Sequence, residues 1–122
     1  MVLPWFRMHG TKDYLEMVQH LERHPQMRAT INPVPSLIKQ LEAYGEGMED
    51  DLLHLSKKPA DVLTEKERDY LLDECFHSNR EQMIARQPRY LELLEKKERH
   101  EKFSDQDICD LIVCNALAWT GE

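Results

Sequence analysis

The sequence predicts a mostly α-helical chain with one short β-strand near Ala29–Asn32, an incomplete piece of an α/β protein. Three observations lead there. Ala29, Thr30 and Ile31 form a β-prone run, and Asn32-Pro33-Val34-Pro35 closes it because proline cannot donate to a ladder. No second convincing strand occurs in the 122 residues, whereas a stable sheet needs several. The last helix is apolar around most of its circumference (Ile108, Leu111, Ile112, Val113, Leu117, Trp119), as suits a helix covered on several sides.

The other elements follow from periodicity and punctuation. Thr11–Arg23 reads as a first helix with Tyr14, Leu15, Val18 and Leu21 on one face, ended by His24-Pro25. After the strand, Ser36 is a suitable N-cap, Leu37, Ile38 and Leu41 repeat at helical spacing, and Gly45 supplies a stop. Glu49-Asp50-Asp51 reads as a solvated turn leading into a short helix at Leu52–Leu55, which Lys57-Lys58-Pro59 closes. Thr64 and Glu67 have capping-box spacing for a helix through about His77. Asn79–Ala85 and Arg89–His100 read as two more helices, broken at Pro88. Ser104 caps the last helix, Asp105 and Asp107 occupy its positive first turn, and Phe103 can staple onto Ile108. The preceding ELLEKKERHEK stretch is so charged that it is expected to cover little of this helix. Cover from the other helices, from missing strands or from a second copy at Ile108–Trp119 are the three ways to bury it.

Composition narrows the function classes. A net charge of −7 disfavours nucleic acid or an anionic membrane surface as partner. Cys75, Cys109 and Cys114 are an odd number without a C-x-x-C pair, which fits a reducing, cytoplasmic compartment better than a disulfide framework. No signal-peptide pattern is visible, and the longest apolar stretch is interrupted by Asp110 and Asn115. The chain reads as a single segment, 1–122, without repeats or a low-complexity linker.

Several ordered motifs carry a family resemblance. Leu3–Met17, LPWFRMHGTKDYLEM, and Ala29–Tyr44, ATINPVPSLIKQLEAY, are similar to the N-terminal region of glycoside hydrolase family 57, in its amylase and amylopullulanase branch. Lys57-Lys58-Pro59, Leu63-Thr64-Glu65, Pro88-Arg89-Tyr90 and Ala116-Leu117-Ala118-Trp119 extend the resemblance over nearly the whole chain. It implies a piece of a (β/α)7 barrel from an α-glucan-active hydrolase or glucanotransferase with a retaining mechanism and no cofactor. Retaining chemistry needs two carboxyl groups about 5–5.5 Å apart. The resemblance places both on strands beyond Glu122 and a His-Gln-Pro strand before Met1, so no catalytic residue is expected here and the chain alone is expected to be inactive. A small helical protein–protein interaction module is the alternative reading.

The resemblance places Trp5, Arg7 and His9 in a segment following a barrel strand, where loops open on the catalytic face. Trp5 could stack on a sugar ring, Arg7 and His9 could bind its hydroxyls, and Asn32 could line the same face. The competing reading makes Trp5 and Phe6 hydrophobic anchors, with Arg7 pairing to Asp13 and Asn32 serving as a turn residue. Lys12 and Asp13 suit capping and ion pairing. His20 and His24 have a metal-competent spacing but no H-E-x-x-H pattern or nearby cysteine, so no metal site is assigned. Cys109 and Cys114 on the apolar helix are expected to be inert packing residues.

Overall fold

The computed structural model describes residues 4–120. They form seven α-helices, one 3-10 turn and one π-helical turn, and no strand. The chain divides into two compact units, the first ending at Asp50 and the second beginning at Asp51.

In the first unit, α1 (Pro4–Thr11) packs on both α2 (Asp13–Arg23) and α3 (Pro35–Gly45). The helix expected over Thr11–Arg23 forms from Asp13 to Arg23, preceded by a helix that the sequence reading did not assign. Lys12, at φ −139° and ψ −58°, separates two helices, and Thr11 Oγ1 donates to the Met8 carbonyl at 2.8 Å as α1 closes. Gly10 lets α1 and α3 approach: a Cβ there would lie 2.5 Å from Leu41 Cδ2. α3 begins one residue before the expected Ser36 cap. Pro35 lies in its first turn and extended Val34 is the N-cap, because the fixed φ and missing N–H of proline suit a helix start.

The strand expected at Ala29–Asn32 does not form. Residues 24–34 are exposed throughout. Among the described residues, the N–H and C=O groups of Arg28–Asn32 bond to no other protein group. No left-handed residue interrupts the run. None of these residues has positive φ, and Asn32 and Val34 each precede a proline, which biases them to extended geometry. What is lacking is a second strand to complete the ladder.

The second unit contains α4 (Asp51–Ser56), a 3-10 turn (Ala60–Val62), α5 (Glu65–Glu74), a π turn (Arg80–Ile84), α6 (Pro88–Glu98) and α7 (Asp105–Thr120). Its core is Leu71, Cys75, Tyr90, Leu93, Ile108 and Leu111, all at 0% exposure. The Thr64–Glu67 capping box forms as read, although α5 stops at Glu74. The π turn replaces the expected Asn79–Ala85 helix, with the Asn79 side chain accepting from the Glu81 and Gln82 N–H groups. Pro88 stands at the break as expected and is itself the first residue of α6, one residue before the expected start at Arg89.

The expectation that the charged helix would cover little of α7 is corrected. α6 packs along α7, because Tyr90 and Leu93 turn inward while Glu92, Glu95 and Glu98 stay out. Val113 and Leu117 remain exposed, at 56% and 59%.

Two polar nodes fix this packing. Asp107, 5% exposed, accepts from Lys96 Nζ and Arg89 Nη2, each at 2.7 Å, and from the Ser104 N–H and hydroxyl, each at 2.8 Å. Burial alone would raise its pKa, but these donors outweigh it and hold the carboxyl below the ordinary range. The second node joins three elements. Tyr90 Oη donates to the Cys75 carbonyl, Asn115 Nδ2 reaches the same carbonyl at 3.1 Å, and Trp119 Nε1 donates to Ser78 Oγ at 3.0 Å.

Candidate functional site

Trp5, Arg7 and His9 lie on helix α1, not in a loop. That changes what they can do together. A helix advances about 100° per residue, so Trp5 and His9, four apart, share a face while Arg7 points to the far side. One sugar ring cannot meet all three.

The two faces are fixed by different carboxylates. Arg7 Nε donates to Asp50 Oδ2 at 2.9 Å, and Tyr44 Oη donates to the same oxygen at 3.0 Å. The Asp50 side chain is 1% exposed and that of Arg7 is 24% exposed. The pairing expected between Arg7 and Asp13 is thus replaced by one to Asp50, and the Glu49-Asp50-Asp51 run is not a solvated turn. Its middle residue is buried between two donors. Burial, with the Asp50 carboxylate as the next cause, pushes the Tyr44 phenol up to about 12. On the other face, His9 Nδ1 bonds Asp13 Oδ2, four residues along, and the His9 ring lies 6.4 Å from that of Tyr14. Lys12 pairs with Glu16 at 3.6 Å, as its ion-pairing reading anticipated.

Asn32 lies in the open segment, exposed, between strand-competent Ile31 and Pro33. It belongs to the same unit as Trp5, Arg7 and His9, but no bond joins it to any of them. Asp50 and Tyr44 were missed by sequence reasoning. Asp50 sits 43 residues from Arg7, and the acidic residues flanking it masked its burial.

Elsewhere, a cleft of 730 Å³ in the second unit is lined by Glu65, Arg68, Asp69, Lys102, Phe103 and Asp105. Arg68 neutralises Asp105 across it and also donates to the Ala60 carbonyl, so this basic group is already engaged. No group of three or more His, Cys, Asp or Glu residues is placed to hold a metal among the described residues. His20 and His24 are exposed. Cys75 and Cys114 are buried, and burial pushes the Cys75 thiol up to about 12. Cys109 is exposed and is not the packing residue expected. No described helix is long and apolar enough to cross a membrane.

Comparison with protein-family models, curated proteins and solved structures finds no match to this chain.

Proposed function

We propose that this chain is part of an α-glucan-active glycoside hydrolase or glucanotransferase whose catalytic domain is a (β/α)7 barrel of the family 57 kind. The observation that carries the reading is the open run Arg28–Asn32 set between α2 and α3. It has strand composition, no left-handed residue and no partner for its hydrogen-bonding groups. Set between two helices, such a run would supply a strand of the alternating kind from which parallel α/β barrels are built once neighbouring strands pair with it. The ordered motifs from Leu3 to Trp119 support the same reading.

In the intact enzyme a glutamate nucleophile and an aspartate acid/base, on strands outside this chain, perform retaining chemistry. This chain contributes substrate contacts from Trp5, Arg7, His9 and Asn32 and holds no catalytic carboxylate. Because α1 sends Arg7 away from Trp5 and His9, different parts of a glucan meet the two faces. A cytoplasmic location belongs to this reading and is supported by the three free cysteines.

The test is the product of the complete reading frame containing this segment, incubated with amylose and followed by proton NMR of the anomeric signals. Retained α-configuration in hydrolysis or transfer products is expected. Inversion, or no action on any α-glucan, would contradict the proposal. The isolated 122-residue chain should release no reducing sugar.

The helical interaction module remains the second reading, favoured by one observation: the second unit closes its own core with its buried polar groups satisfied. Exposed Val113 and Leu117 support self-association of the isolated chain through Ile108–Trp119 under the barrel reading. A monomer of the isolated chain that melts cooperatively and binds no hydrophobic dye would favour a module that needs no completion.

A further inference from the structure

Helix α7 carries an uncharged stripe on its outer face. Gln106, Cys109, Val113, Ala116 and Leu117 are all exposed, at the three- and four-residue spacing that aligns side chains along one side of a helix. No charged residue occurs from 111 to 120, although 32% of the chain is charged. The stripe is shaped as well as uncharged. A cleft of 320 Å³ lies at its N-terminal half, lined by Gln106, Cys109, Asp110 and Val113 together with Arg89 and Cys114. The first four are spaced i, i+3, i+4 and i+7, the four-residue hole that receives a knob from a facing helix. The same helix carries a matching knob, since exposed Leu117 stands one turn beyond Val113. A helix face bearing both a hole and a knob at a fixed distance is self-complementary, which selects a second copy over an unrelated partner.

Charge sets the direction. Asp105, Asp107 and Asp110 all lie in the first six residues of α7. A parallel pair would set Asp110 against Asp110. An antiparallel pair sets each acidic half against the uncharged half of the other copy and opposes the two helix dipoles. It also closes in register. With Val113 meeting Val113 at the two-fold axis, Leu117 of each copy falls opposite the hole around Cys109 and Asp110 of the other.

We infer that α7 pairs antiparallel with α7 of a second copy, Leu117 of each chain entering the hole formed by Gln106, Cys109, Asp110 and Val113 of the other. This gives the self-association of the isolated chain its partner face and register, and it rests on the barrel reading for the stripe being left uncovered.

Disulfide trapping in the full 122-residue chain tests the register. Pairing about Val113 brings position 113 of both copies together, whereas the two Cys109 residues stand about 12 Å apart along the axis, beyond disulfide reach. A Cys109→Ser/Val113→Cys variant should therefore form a covalent dimer roughly tenfold faster than the unaltered chain in the same glutathione buffer. Equal rates, or faster linkage through Cys109, would overturn the inference, the latter assigning a parallel pair. Sedimentation equilibrium supplies an arm that introduces no cysteine. The unaltered chain should dimerise at micromolar concentration, and more tightly as salt screens the repulsion between two chains of net charge −7. Leu117→Glu should weaken that dimer roughly tenfold. Leu15→Glu, on α2 and as exposed as Leu117, should leave it unchanged. A monomer at about 100 μM, or equal loss in the two variants, would overturn the inference. None of these outcomes depends on glucan turnover by the complete enzyme, so failure of this pairing and failure of the barrel reading are told apart.

Discussion

The two units differ in how they treat what they bury and what they leave open. The second unit turns polar groups into fasteners: Asp107, Asn115 and Tyr90 are inside, and each is met by donors or acceptors from other elements. The first unit buries one carboxylate, Asp50, and leaves a strand-competent run with its backbone unmet. One unit joins its elements through buried polar bonds, and the other leaves a run of backbone without a protein partner.

The largest effect should come from breaking a fastener of the second unit. Asp107→Ala leaves Lys96 and Arg89 without their shared carboxylate and removes the reciprocal cap on Ser104, and should cost about 3 kcal/mol in chemical denaturation. Asp50→Ala should cost less, about 2 kcal/mol, because Arg7 keeps contact with water and can re-solvate. A loss at Asp50 as large as at Asp107 would mean the first unit is closed as firmly as the second. Tyr90→Phe should cost about 1 kcal/mol, since Asn115 still reaches the Cys75 carbonyl.

Acid sharpens the contrast further. Glu67 is lowered to about 2, first by the bond from Lys58 at 2.6 Å and then by the Thr64 backbone and hydroxyl. Asp107 is also held low. A depressed folded-state pKa stabilises above the unfolded value and is lost as pH falls through the folded one. The second unit should therefore soften between the ordinary carboxylate range and about pH 2, and Glu67→Gln should flatten that loss. In alkali the sign reverses for Tyr44. Its raised pKa favours the folded state below pH 10, and that contribution disappears as pH climbs toward 12. Burial raises Cys75 in the same direction, so alkali touches both units. The smallest effect is expected at Gly10→Ala, within about 1 kcal/mol of wild type. The gain in helix propensity is offset by the displaced tip of the Leu41 side chain.

What was legible in the sequence was local. The Thr64–Glu67 box and the Ser104 cap were readable because each closes within three residues. Helix existence was readable from spacing, while boundaries shifted by a few residues, with Pro35 and Pro88 themselves the first residues of helices. The strand was read from composition alone, and no strand forms, since a β-prone run makes a strand only where a partner completes its ladder. The pairing of Arg7 with Asp50 was not legible, since nothing in an acidic run marks which member is buried. The inward turn of Asn115 was hidden likewise, because its partners Cys75 and Tyr90 lie 40 and 25 residues away. Of the candidate site, the sequence offered Trp5, Arg7, His9 and Asn32 as one group. The separation of Arg7 from Trp5 and His9 onto two faces of α1 was not legible, because the segment was taken for a loop.

Native-state hydrogen exchange of the unliganded chain tests the central claim most directly, that one unit is closed and the other carries an open run. The account predicts strong protection for amides of Leu71, Cys75, Leu93 and Leu111 and exchange at nearly free-peptide rates for Arg28–Asn32. Protection of Arg28–Asn32 comparable to that of α5 and α7 would contradict it.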